Sequence, residues 1–181
     1  MLDIAVLPTV DVNINLAAAI QLKNMIEAHW QFATIEEVHQ FFDEDEMKNR
    51  VTIIFGEEDR EYVRSNMIRS VTEATSFQVL AQLEEVIYHV SNKTLPEGIL
   101  PQISELINSS DEKKVFGGLT ALKAIVKKFE YSSKSERVHL NEIATHLFPK
   151  LEQTLVSLLE IDTEEGVRAK AMIVETIRRG N

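Results

Sequence analysis

Apolar residues recur every three or four positions over most of this chain, the period of amphipathic α-helices and not the alternation of strands. The clearest stretch runs from Asn13 to Trp30. There Leu16, Ala19, Ile20, Met25, Ile26 and Trp30 define an apolar face, and Asn13 or Asn15 can cap the start. The face is too apolar to stand in water, so the pattern predicts a covering partner. Upstream, Leu2, Ile4, Val6 and Leu7 predict the end of a helix closed by Pro8, with a polar turn from Asp11 to Asn15. The expectation is a helical pair whose first member is nearly absent.

After Trp30 the pattern is irregular to Gly56, with a short helix predicted around Ile35 to Phe42. The run Asp43-Glu44-Asp45-Glu46 reads as a solvated loop, because it lacks the alternation and glycine turn of a calcium loop. Val51 to Phe55 has strand-like composition, but there is no second such run to pair with it. It is expected as an extended segment packed on helices.

From Glu57 the pattern is helical throughout. Glu57 to Val71 places Tyr62, Val63, Met67, Ile68 and Val71 on one side, with acidic residues in the first turn, where the helix dipole favours them. Ser76 caps a helix from Phe77 to Val90, whose core positions are Val79, Leu80, Leu83, Val86, Ile87 and Val90. Pro96, at a first-turn position, opens a helix that buries Ile99, Leu100, Ile103, Leu106 and Ile107. Asp111 leads a helix to Phe129 that contains Gly117-Gly118. Two mid-helix glycines cost about 1 kcal/mol each against alanine, so close approach of a neighbouring helix is expected there. A long helix with Leu140, Ile143, Leu147, Phe148, Leu151, Leu155, Leu158 and Leu159 is expected to kink at Pro149. Asp162-Thr163 caps a last helix, Glu164 to Arg179, with Val167, Ala171, Met172, Val174 and Ile177 as its apolar face. Since that face has no later partner, the natural protein is expected to continue past Asn181.

Composition narrows the function classes. The 181 residues are 44% hydrophobic and 27% charged, ordinary for a globular protein, and no apolar run is long enough to span a bilayer. A net charge of -10 argues against nucleic-acid binding and suits basic partners. The absence of cysteine excludes disulfides and thiolate zinc sites. His29, His39, His89, His139 and His146 show no metal-binding spacing, and no serine sits between glycines as a nucleophile. The chain therefore reads as a non-enzyme without metal or cofactor.

Helix starts fall near Glu57, Pro96 and Glu136 in one series and near Ser76, Asp111 and Glu164 in another, at spacings of about forty residues. Two-helix solenoid repeats of the HEAT type have this period, and a compact helical bundle also fits it. Leu22-Lys23-Asn24-Met25-Ile26 followed by Trp30 resembles the first HEAT repeat of the importin-β superfamily of nuclear transport receptors, the karyopherins. Glu57-Glu58-Asp59-Arg60 before Val63-Arg64-Ser65-Asn66 resembles the start of the second repeat. Gly117-Gly118-Leu119-Thr120-Ala121-Leu122 with Lys127-Lys128-Phe129-Glu130-Tyr131 resembles the third. Glu136-Arg137 and Leu147-Phe148-Pro149-Lys150-Leu151 resemble the opening of the fourth. Of the branches of the family, that of importins seven and eight is the most similar. Two features depart from the pattern: the first repeat lacks most of its first helix, and Leu95-Pro96-Glu97-Gly98-Ile99 lacks a tryptophan after the proline.

The resemblance implies an all-α superhelix of three and a half to four helical pairs in one HEAT array. Its parts are a partial repeat 1 (1–30), an insert (31–56), repeat 2 (57–92), repeat 3 (95–130) and repeat 4 (136–181). It also implies a receptor that shuttles between cytoplasm and nucleus and whose N-terminal repeats bind the small GTPase Ran in its GTP form. Basic cargo and nucleoporin Phe-Gly repeats are held through the wider receptor, without nucleic-acid binding or membrane insertion. A HEAT scaffold or an exportin-type adaptor is the alternative. The candidate contacts with Ran are polar positions on the second helices: Gln21, Asn24 and Glu27, then Gln78, Gln82, Glu85 and His89, then Lys113, Thr120 and Lys127. Trp30 is expected in the core.

Overall fold

The computed structural model describes residues 1–32, 34–42, 53–91, 98–130, 138–160 and 162–180, with all their side chains except those of residues 139, 142 and 165. Among them are helices α1 (Leu2–Val6), α2 (Val12–His29), α3 (Ile35–Phe41), α4 (Glu57–Glu73), α5 (Phe77–Val90), α6 (Ile99–Ile107), α7 (Glu112–Phe129), α8 (Val138–His146), α9 (Phe148–Leu158) and α10 (Glu164–Gly180). No strand occurs among the described residues. The fold is all-α, of the HEAT-repeat class, and the chain divides into two compact units, Met1–Val90 and Ser91–Asn181. The acidic run 43–46, Pro96 and the linker 131–137 lie outside the described residues.

In unit 1, α1 and α4 pack against α2 and α5, and each of these pairs is also in lateral contact. Asp11, not Asn13 or Asn15, caps α2, its carboxylate accepting from the Asn13 N–H at 2.8 Å. Asn15 is buried instead, and its amide donates to the carbonyls of Ile4 (2.6 Å) and Leu7 (3.1 Å) at the end of α1. The Thr75 hydroxyl, just before α5, donates to Asn15 Oδ1 at 3.1 Å. That bond joins the N-terminal ends of α2 and α5, so the two helices run in parallel. The buried face of α2 is accordingly Asn15, Ala19, Leu22, Ile26 and Trp30, while Ile20 is exposed, a rotation from the face expected on hydrophobicity alone.

The end of α2 is closed by Arg60, from the first turn of α4 and only 7% exposed. Its guanidinium donates to the carbonyls of Phe55 (3.1 Å), Trp30 (2.9 Å) and Phe32. It also lies 4.9 Å from the centre of the Trp30 ring, while Phe55 meets that ring edge-on at 5.4 Å. Ile53 to Phe55 has no helix or strand and its Phe55 is buried against Trp30, so this part of the expected segment packs on helices, while residues 51 and 52 lie outside the described residues. Trp30 is core. Burial, and next the charge of Arg64, hold the Arg60 pKa below its usual value.

In unit 2, α6 and α7 form one antiparallel pair, and α8 with α9 packs on α10. The expected kinked helix across Pro149 is instead two helices separated by Leu147. Pro149 has no N–H and crowds the carbonyl four residues back, so α8 ends and α9 begins with the proline in its first turn. Ser76 and Thr163 cap α5 and α10 as expected, with oxygens 3.3 Å from the Val79 nitrogen and 3.1 Å from the Gly166 nitrogen. The buried face of α10 is Gly166, Ala169, Ile173 and Thr176, while Val167, Ala171 and Val174 are exposed, a second correction to the expected face. Arg179 at the end of α10 pairs with Glu130 at the end of α7, so those two helices also run in parallel. The Lys150 ammonium donates to the Ser104 hydroxyl at 2.7 Å and ties α9 to α6.

Gly118 is where α7 meets α6. A Cβ there would lie 2.9 Å from Leu106 Cβ, 3.1 Å from Ile107 Cγ1 and 3.2 Å from the Ile107 nitrogen. Alanine ordinarily stabilises a helix by about 1 kcal/mol over glycine, but here it must push a neighbouring backbone. We expect Gly118→Ala to destabilise unit 2 by roughly 1–2 kcal/mol on balance, read as a lowered thermal midpoint in circular dichroism; an unchanged or raised midpoint would refute the close approach. Arg60→Met strands three carbonyls and is expected to cost about 3 kcal/mol. Arg60→Lys recovers only part of this, since an ammonium lacks the planar fork. Urea unfolding followed by the fluorescence of Trp30, the chain's single tryptophan, measures both variants in unit 1. A loss below about 0.5 kcal/mol for Arg60→Met would be incompatible with the clamp.

Candidate functional site

The parallel helices α2 and α5 carry seven of the ten candidate positions. On α2, Gln21, Asn24 and Glu27 are all exposed at spacings of three, one stripe away from the buried Leu22 and Ile26. Lys23 stands 3.3 Å from Glu27 and screens part of its charge. On α5, Gln78 is exposed, while Gln82, Glu85 and His89 are half-buried at successive turns of one stripe, with the core residues on the other face. The His89 ring meets Tyr88 edge-on at 5.2 Å. Because the Asn15–Thr75 bond sets the two N-terminal ends level, Gln21, six residues past Asn15, and Gln82, seven past Thr75, stand at similar heights. The structure therefore gathers these seven residues onto two adjacent helices of unit 1.

The remaining three positions lie on α7 in unit 2. Lys113 is exposed in the first turn and Lys127 half-buried near the end. Thr120 is not exposed. With 1% of its surface accessible, its hydroxyl donates to the Phe116 carbonyl at 2.9 Å and sits 3.7 Å from Met172 Sδ of α10. Its polarity is satisfied within its own helix, which is why it can face a packed neighbour. Thr120 is thus a core residue between α7 and α10. Close by, Glu175 is held below the usual carboxylate range, first by its hydrogen bond from Arg179, whose side chain also pairs with Glu130.

Arg60 was not among the candidates, because one arginine in an acidic stretch reads as part of a solvated first turn. Its partners are carbonyls 28 and 30 residues upstream, a distance at which sequence spacing carries no signal. Among the described residues no group of three or more His, Asp and Glu side chains could hold a metal ion, and no helix is long and apolar enough to cross a membrane. The stripes of amides and single charges, exposed on α2 and half-buried along most of α5, are suited to hydrogen bonding with a folded partner.

Residues 1–73 match the family described as Importin-beta N-terminal domain. The chain is 29% identical over 171 residues to the probable importin-7 homolog of Dictyostelium discoideum, covering 92% of this chain and 14% of that protein. It is 27% identical over 180 residues to importin-8 of Danio rerio, covering 97% of this chain and 16% of that protein. Similarity also extends to the importin-alpha re-exporter of Schizosaccharomyces pombe, 27% identical over 143 residues, covering 77% of this chain and 13% of that protein. The chain spans 13% to 16% of the length of these relatives. No solved structure matches it. Residues 1–73 thus resemble the N-terminal domain of importin-β proteins, and nearly the whole chain is similar to the N-terminal part of importin-7 and importin-8 proteins.

Proposed function

We propose that this chain is the N-terminal region of a nuclear transport receptor and that the polar stripes on α2 and α5 recognise Ran in its GTP form. In this reading the helical pairs are repeats of one HEAT array, with repeat 1 ending at residue 30 and the others spanning 57–92, 95–130 and 136–181. The observation that carries the proposal is the pair of parallel helices α2 and α5, whose outer stripes of Gln21, Asn24, Glu27, Gln78, Gln82, Glu85 and His89 lie within a region similar to importins. The γ-phosphate orders the switch loops of a GTPase, and a rigid face that fits the ordered loops binds that state in preference to the GDP state. Cargo release then follows from a negative coupling between Ran-GTP and cargo, which is reciprocal by linkage. Basic cargo and Phe-Gly nucleoporins engage the wider receptor, which moves between cytoplasm and nucleus.

The similarity to a protein named as an importin-alpha re-exporter favours a second reading, in which Ran-GTP and cargo bind cooperatively. The sign of the coupling separates the two: cargo displaced by Ran-GTP marks import, and cargo held more tightly marks export. For the face itself, the immobilised chain is expected to retain Ran loaded with GTP and not with GDP. Glu85→Lys should weaken that retention about tenfold, through reversed charge at a half-buried contact. Equal retention of both nucleotide states would end the receptor proposal, whereas a nucleotide-dependent affinity untouched by Glu85→Lys would remove only α5 from the contact.

A further inference from the structure

The net charge of -10 is not spread along the chain. Residues 1–90 hold 16 Asp and Glu against 6 Lys and Arg, and residues 91–181 hold 13 of each, so unit 1 carries all of it. Part of this charge stands on α4, whose first turn presents Glu57, Glu58 and Asp59, and on α3, whose first turn presents the exposed Glu36. Helix dipoles account for carboxylates in first turns. They do not account for the apolar residues beside them. Phe41 is 73% exposed and Ile35 is 57% exposed, on either side of the buried Val38 along one face of α3.

Phe41 is held in place. Its ring meets Phe32 edge-on at 5.5 Å, and the Phe32 carbonyl is fixed by Arg60. Arg60 belongs to the first turn of α4 and donates to the Phe32 carbonyl, and Phe41 packs on the Phe32 ring, so the end of α3 lies near the start of α4. Arg64 is paired with Glu57 at 2.8 Å and Arg60 is buried against carbonyls, so the carboxylates offered to a partner are Glu36, Glu58 and Asp59.

We propose that Phe41 and Ile35, with the nearby carboxylates of Glu36, Glu58 and Asp59, form a docking surface for a basic protein segment that carries an aromatic or aliphatic anchor. Charge complementarity selects this occupant. The long stems of lysine and arginine cover apolar surface while their heads reach carboxylates, and an anchor beside them packs on a preset ring. A second copy of unit 1 brings the same negative charge and is repelled, as are nucleic acids and anionic lipid surfaces. The surface lies on α3 and the start of α4, outside the stripes assigned to Ran, and does not depend on that assignment.

The test is fluorescence anisotropy of a labelled synthetic peptide in which lysines alternate with leucine and phenylalanine, titrated with the 181-residue chain. A peptide with glutamate in place of every lysine is the reference. We expect saturable binding of the basic peptide only, weakened about tenfold by Phe41→Ser and by Glu58→Lys, with helical circular dichroism unchanged. Raising the salt from about 0.05 to 0.5 M should also weaken it, and Glu152→Lys, at an exposed position of α9, should not. Equal binding to the Phe41→Ser variant, equal binding of the glutamate peptide, or no binding at about 100 μM protein would each overturn the proposal.

Discussion

Carbonyl groups at the end of a helix have no partner inside the helix, and where the end is buried something else must donate to them. At the end of α2 that donor is Arg60, which joins Trp30, Phe32 and Phe55 through a single guanidinium. A great deal of unit 1 follows from it. The Phe32 carbonyl must face the fork, and the segment before α4 must bring the Phe55 carbonyl to the fork and the Phe55 ring to Trp30. The position of α3 then follows, because its last residue, Phe41, and the following Phe42 pack on Phe32. The charge is buried at a cost, offset by three carbonyl acceptors and the aromatic face of Trp30.

Apolar burial drives these helices together, but it is non-directional and leaves their sliding register weakly defined. Polar contacts at helix ends define it in both units. In unit 1, Asn15 ties the end of α1 to the start of α2 and, through Thr75, the start of α2 to the start of α5. In unit 2 the tie is at the other end, where Arg179 bridges Glu175 on its own helix and Glu130 at the end of α7. Both arrangements align parallel neighbours, and parallel neighbours present their outer residues as adjacent stripes. The candidate face on α2 and α5 is therefore a consequence of a buried asparagine that is itself not part of it.

Periodicity made the helices legible, along with the caps at Ser76 and Thr163 and the meaning of Gly118, because these depend on residues near in sequence. What it misjudged was which face of a helix turns inward. On α2 the apolar Ile20 points out while Asn15 is buried, because carbonyls of another helix satisfy the asparagine. On α10 Thr176 is buried and Val174 is exposed, and the Thr176 hydroxyl donates to the Met172 carbonyl at 2.7 Å. Thr120 follows the same rule on α7. A threonine bonded to its own helix is apolar in effect, so a hydrophobicity count places it on the wrong side. The exposed candidate positions are Gln21, Asn24, Glu27, Gln78 and Lys113, whose amide-bearing and charged side chains are longer than that of threonine and are not folded back into the core.

Unit 1 consequently offers two faces of different chemistry. The outer stripes of α2 and α5 are mostly amides, which both donate and accept and whose bonds are little weakened by salt. The surface of α3 and α4 is carboxylate around an aromatic ring, and its attraction for a cation is screened within about 10 Å at 0.1 M salt. A partner held by the first face is selected by shape, so a GTPase whose switch loops change shape with nucleotide is the kind of protein such a face can discriminate. A partner on the second is selected by charge and anchored by one ring, which suits a flexible basic segment better than a folded surface. The two proposed modes differ in salt dependence, and that difference assigns an observed interaction to one face or the other.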